Sequence, residues 1–179
     1  MTKHISVDIE TLGTKPGSAI ISLGAVVFDP FTGELGENFY TSFNATCMIG
    51  FSTDEGTIGW WKEQSEQAKA MLSMNNMSLD AGLDSFYDWW KQVESECEPG
   101  DYARFWAKPP SFDEVLLDAA YKIVGIKTPW HYRAPRCVRT ILDIAGIKER
   151  PMEGIPHYAL DDAEHQALVV SDCFKAIRS

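Results

Sequence analysis

His4-Ile5-Ser6-Val7-Asp8-Ile9-Glu10 alternates without a break: Ile5, Val7 and Ile9 fall on one side, Ser6, Asp8 and Glu10 on the other. Side chains of a strand point to opposite faces in turn, so period two over this stretch predicts a half-buried strand. Downstream, residues 19–28 (AIISLGAVVF) form a second apolar, β-branched run. The segment DPFTG (29–33) places Pro and Gly for a turn, and a third strand is expected at about 37–43. Three strands joined by short turns imply an antiparallel meander.

Beyond the meander the pattern turns helical. Thr57 is placed to cap a helix IGWWKEQSEQAKAML, and Ser78 one that runs through LDAGLDSFYDWWKQVES. The segment CEPGD (97–101) ends the second helix, and YARFWA (102–107) reads as a short strand. Ser111 and Glu114 spell the S-x-x-E of a capping box, which opens a helix that stops at Gly125. CVRTILDIA (137–145) predicts a short helix ended by Gly146, and a last helix covers about Asp161 to Ile177. Phe86, Trp89 and Trp90 recur at helical spacing and read as core. Strands first, then helices with a strand among them, predict an α/β layered fold in one domain over 1–179, with 44–56 and 146–157 as mobile loops.

The chain has 179 residues, 45% hydrophobic and 23% charged, ordinary values for a globular protein. No apolar run approaches the roughly 20 residues of a membrane helix, and the start lacks a secretory signal, so a cytoplasmic protein with no membrane partner is expected. Cys47, Cys97, Cys137 and Cys173 show no CxxC pair, which argues against a zinc site or a disulfide framework. Net charge is −10, with 26 acidic against 16 basic residues. A protein that grips long duplexes by phosphate neutralisation should be basic. The acidity leaves room for an enzyme that holds a few nucleotides beside bound cations.

Five residues stand out for chemistry. Asp8 and Glu10, two apart on one strand, project from the same face about 7 Å apart at the backbone, near enough to share a cation. Two acids on a face that helices cover are costly unless something neutralises them. Asp113 lies in the first turn of a helix, where acids are common for dipole reasons alone, but Glu114 already accounts for the cap. The segment His157-Tyr-Ala-Leu-Asp161-Asp162 sets a loop histidine before two acids at the last helix start. Each piece alone has an ordinary structural explanation. Together, four carboxylates and one titratable imidazole match the needs of two-metal phosphodiester hydrolysis.

These motifs resemble the DEDDh class of 3′→5′ exonucleases in the ribonuclease H-like superfamily. The resemblance rests on Asp8-Ile-Glu10-Thr11, Ser111-Phe112-Asp113 and His157-Tyr-Ala-Leu-Asp-Asp162. More narrowly, the chain is similar to the phage exonuclease A and bacterial 3′-5′ exoribonuclease-like branch. It shares Thr57-Ile-Gly-Trp60-Trp61, FDEVLLDAAY (112–121) and Pro129-Trp130 followed by Arg136-Cys-Val-Arg139-Thr140. One segment departs: Trp106-Ala-Lys-Pro-Pro-Ser111 stands where relatives have Gly or Asn, and its prolines stiffen the approach to the second motif.

The resemblance implies a ribonuclease H-like mixed sheet, the antiparallel meander plus parallel strands, covered by helices. It implies Asp8, Glu10, Asp113 and Asp162 as metal ligands, His157 as general base, and two Mg²⁺ or Mn²⁺ ions, the choice hard oxygen ligands favour. Activity should then fall as acid protonates the imidazole. Thr11 and Leu12 would contact the terminal nucleotide, and Trp60 or Trp61 would offer a base a stacking surface. Adjacent helical residues point about 100° apart, so either one of the two tryptophans is core and the other partly exposed, or both pack in the core. The substrate implied is the 3′ end of a single strand, DNA or RNA, released as nucleoside 5′-monophosphates. Lys108, Arg133, Arg136 and Arg139 are the basic residues near these motifs; Arg136 and Arg139, three apart, would share a helix face. His4, His131 and His165 read as structural. Two rival readings are a catalytically silent nucleic-acid-binding module of the same fold and an acidic DNA mimic. Oligomeric state is not legible.

Overall fold

The computed structural model describes residues 2–44 and 50–179; Cys47 and part of the 44–56 loop lie outside the described residues. The meander forms as expected from β1 (His4–Thr11), β2 (Ile20–Phe28) and β3 (Leu35–Phe43). Both pairings are antiparallel. Next come α1 (Glu55–Glu63), α2 (Glu66–Met71), β4 (Asn76–Met77) and α3 (Leu79–Ser95). The chain ends with β5 (Arg104–Ala107), α4 (Pro110–Val124), β6 (Pro135–Cys137), α5 (Val138–Ala145) and α6 (Ala159–Arg178). The sheet order is β4-β3-β2-β1-β5-β6, with β5 parallel to β1 and to β6, and β4 parallel to β3. The short β4 and β6 carry too few residues to show a period, which is why they escape a sequence reading.

The first strand is not half-buried. Ile5, Val7 and Ile9 pack into a core with Leu83, Phe86 and Trp90 of α3 and Leu117 and Tyr121 of α4. Its other face, with Ser6 fully buried, lies under α6, whose Ala163, Ala167 and Val170 join Val26, Phe28 and Trp106 in a second core. Helices on both faces make β1 central, and the acids of that strand are enclosed rather than solvated.

One glycine sets how closely α6 approaches. Gly24 of β2 pairs with Asp8 of β1, and a Cβ on it would stand 2.3 Å from the carbonyl carbon and oxygen of Ala159. The first turn of α6 therefore rests on bare backbone, directly beside Asp8.

Several expected helix starts shift. The helix at 57 begins at Glu55, and its cap is Asp54, whose carboxylate accepts the Thr57 N–H at 2.8 Å. It also breaks in two, because Ser65 accepts the Ala68 N–H and starts α2 afresh. Ser78 precedes α3 as expected but makes no side-chain cap bond. The capping box at 111 does not form. Pro109 and Pro110 begin α4 two residues early, with Pro in the first turn where its missing N–H is harmless, so Ser111 is already inside the helix. Glu114 instead accepts from Trp130 Nε1. Helix α6 starts at Ala159, so Asp161 lies within its first turn and does not cap it. Arg136 ends in strand β6, and its guanidinium donates to the carbonyls of Arg133, Ala134 and Pro135, so it shares no helix face with Arg139. The 146–157 loop is tied down by Glu149, which binds Lys108 and His165, and by the Ile155 N–H donated to Asp161.

Candidate active site

Asp8, Glu10, Asp113, His157 and Asp162 line one cavity of about 350 Å³. Four elements deliver them. Asp8 and Glu10 stand on the α6 side of β1, as their alternation requires. Asp113, in the first turn of α4, reaches over the edge of β1, and its Oδ1 accepts the Ile9 N–H at 3.3 Å. Asp162 projects from the first turn of α6 and accepts the His157 N–H at 2.8 Å. That bond depends on His157 adopting a left-handed backbone, φ 66°, which most L-residues avoid. The bend turns the imidazole back over the acids, with Nδ1 3.9 Å from Glu10 Oε1.

Burial first, and at Asp8 and Glu10 like charge second, holds these acids above the usual carboxylate range. Burial, then the charge of Asp162 and of Asp113, pushes Glu10 up to about 8. Burial lifts Asp113 to about 7, although the Ile9 N–H and the Arg139 charge pull it back. Asp8 is raised well above the carboxylate range by burial and by Asp113, Glu10 and Asp162. Burial raises Asp162 as well, against the opposing His157 N–H. A cation bound among these acids would offset the cost of ionising them. Its donors are oxygens plus one imidazole, and ligand atoms of Glu10, His157 and Asp162 lie within 4.8 Å of one another. That set fits hard divalent cations such as Mg²⁺ or Mn²⁺ rather than the thiolate- and histidine-rich sites of zinc.

A family model described as the 3′-5′ exoribonuclease Rv2179c-like domain matches residues 3–174. The chain belongs to that family. It is therefore a 3′→5′ exonuclease, and dependence on divalent metal follows from the DEDDh class. No curated protein matches this exonuclease by sequence. Among solved structures, it is similar to the nuclease domain of 3′hExo, a DEDDh family member, bound to rAMP. That likeness has a TM-score of 0.63 at 16% identity, over 97% of this chain and 92% of that one. Cell-death related nuclease 4 superposes with a TM-score of 0.70 at 15% identity, over 98% of this chain and 64% of that one. E. coli Exonuclease I in complex with a dT13 oligonucleotide gives 0.63 at 13% identity, where the exonuclease spans 41% of its counterpart. At these identities the likeness is one of fold, the ribonuclease H-like mixed sheet.

The residues expected to touch substrate are divided between cavities. Thr11 and Trp60 line a space of about 440 Å³ that shares Glu10, Ile9 and Phe112 with the acidic pocket. Leu12 lines a different one with Trp61 and Ile21. The Thr11 hydroxyl donates to the Gly13 carbonyl, and its own carbonyl accepts from Trp61 Nε1 at 2.9 Å. Trp61 is thus the core tryptophan, a buttress for the end of β1. Trp60 is 41% exposed, and its ring meets His157 edge-on at 4.7 Å between centroids. His165, read as structural from sequence, lines the acidic cavity together with Lys108, Arg139 and Gln166. The signal for His165 and Gln166 was their position three and four residues past Asp162, the spacing that keeps side chains on one helix face.

Proposed function

We propose that Asp8, Glu10, Asp113 and Asp162 hold two Mg²⁺ or Mn²⁺ ions and that His157 is the general base for stepwise removal of nucleotides from single-stranded 3′ ends. Cations bound there supply positive charge against the scissile phosphate and the departing oxygen. His157 stands over Glu10 with its imidazole partly exposed to the cavity, where it can accept the proton of an attacking water. The water oxygen bonds to phosphorus, the bond from phosphorus to the 3′ oxygen breaks, that oxygen stays on the shortened strand and takes up a proton as a 3′-hydroxyl, and a nucleoside 5′-monophosphate leaves. Trp60 holds the imidazole from one side and offers its exposed face to a base. Lys108 and Arg139, on the rim of the acidic cavity, hold the next phosphate of the strand. RNA is the preferred substrate in this reading, because the matching family model describes an exoribonuclease.

The observation that carries the proposal is the convergence of the five residues in one cavity. Dispersed acids, as a DNA mimic would need, are a poor description of four carboxylates on three elements facing one another. The test uses matched 5′-labelled RNA and DNA oligomers. With Mn²⁺, products should shorten one nucleotide at a time from the 3′ end, RNA faster than DNA, and EDTA should stop the reaction. Internal cleavage, or shortening that survives EDTA, removes the proposal.

A further inference from the structure

Helix α6 brings a second polar side chain under the sheet. Gln166 lies one turn past Asp162, on the face that otherwise packs Ala163, Ala167 and Val170 into the core. It is 5% exposed. Its Nε2 donates to Asp8 Oδ1 at 2.7 Å, across 158 positions of sequence. Its Oε1 meets no donor among the described residues. A glutamine half-satisfied in an apolar helix face loses stability relative to an alanine or leucine, so the bonded half has to serve something.

We propose that Gln166 is a positioning residue for Asp8: it clamps one carboxylate oxygen from the α6 side and leaves the other turned into the cavity. The inference rests on the reading of Asp8 as a cation ligand. An amide suits the task better than any other side chain. Lysine or arginine would hold Asp8 but cancel the charge a cation needs, and a carboxylate would add a fifth like charge. A serine or threonine on this helix is too short, and a leucine gives no hydrogen bond. Without the clamp, repulsion from Asp113, Glu10 and Asp162 is free to rotate the Asp8 carboxylate, and an arriving cation has to turn it back. Ligand orientation by a neighbouring neutral donor is a general device of metal sites.

Gln166→Met tests this, since methionine keeps the length and flexibility and lacks the donor. Mn²⁺ affinity is measured by calorimetry, folding by circular dichroism and thermal unfolding in EDTA, and degradation as a function of Mn²⁺. A folded Gln166→Met should bind Mn²⁺ roughly ten- to a hundredfold more weakly. Its KM for the oligonucleotide at saturating Mn²⁺ should stay unchanged. Wild-type Mn²⁺ affinity in that variant overturns the clamp. If the variant unfolds, the wild-type protein decides: the Gln166 side-chain amide resonances should move on Mg²⁺ addition, with the midpoint of the binding isotherm, and resonances that stay put overturn the inference. Asp8→Asn separates the two layers of argument. Wild-type affinity there sinks the reading of the site itself, whereas loss in Asp8→Asn with none in Gln166→Met sinks the clamp alone.

Discussion

The base role proposed for His157 falls on a backbone that few residues tolerate, and the two can be separated by mutation. Its φ of 66° aims the N–H at Asp162, while the imidazole faces Glu10 and Trp60. Asparagine enters the left-handed region more readily than alanine, so His157→Asn is the variant that preserves the bend. We expect it to fold normally and to keep Mn²⁺ binding, while turnover falls by about 10²- to 10⁴-fold, the range for loss of a general base. Near-wild-type turnover would take the base assignment away from His157. This residue was legible in the sequence because His-x4-Asp stands next to three other motif acids. Gln166 was not: its distance from Asp162 means little until α6 is laid across β1 and Asp8 appears beneath it. His165 reads as structural for the same reason, since Glu149 and the cavity wall that define its surroundings come from a loop and another element.

The decisive junction between elements is the crossing of α6 over β2 at Gly24. Alanine there would put a methyl 2.3 Å from the Ala159 backbone, a contact relieved only by lifting the helix start. Because that turn carries Asp162, the acceptor of the His157 N–H, the shift moves a proposed metal ligand along with the helix. Gly24→Ala should destabilise the protein by about 1–3 kcal/mol in urea unfolding, the usual range for overpacking, and weaken Mn²⁺ binding in the folded fraction. A variant with unaltered stability and unaltered Mn²⁺ affinity would show that the crossing is looser than the structure indicates. The meander was legible because alternation and β-branching speak for strands before any partner is known. The helix starts were less so. Pro109 and Pro110 pre-empt the cap that Ser111 and Glu114 spell, and Ser65 interrupts what reads as one helix. In each case a local turn signal wins over a motif that is also local, and spacing alone does not rank them.

At the scale of the molecule, the acidic cavity sets a balance between folding, protons and cations. Glu10, ordinarily near 4.5, titrates at about 8 in the folded protein, and Asp113, ordinarily near 3.8, at about 7. A carboxylate whose pKa is raised by folding favours the folded state in its protonated form. Its contribution is complete below the unfolded value and is lost as pH climbs through the folded one. In EDTA the cavity should therefore weaken the protein progressively between about pH 4.5 and pH 8. Surface carboxylates held low, such as Asp29 and Asp101, act in the opposite direction at more acidic pH, so the absolute curve mixes both. The difference between wild type and Glu10→Gln isolates the cavity, because the amide imitates the protonated acid at every pH. We expect Glu10→Gln in EDTA to be more stable than wild type at pH 8 by several kcal/mol, at about 1.4 kcal/mol for each pH unit between the ordinary and the raised pKa, with the gap closing toward pH 5. Mn²⁺ should reverse the order at pH 8, since it binds the folded wild type and replaces the protons, and should do little at pH 5, where protons compete for the same oxygens. Thermal unfolding of both proteins at the two pH values, with and without Mn²⁺, reads all of this. A wild-type-to-variant difference that is flat in pH would mean that Glu10 is solvated, and that the four acids do not share one desolvated pocket.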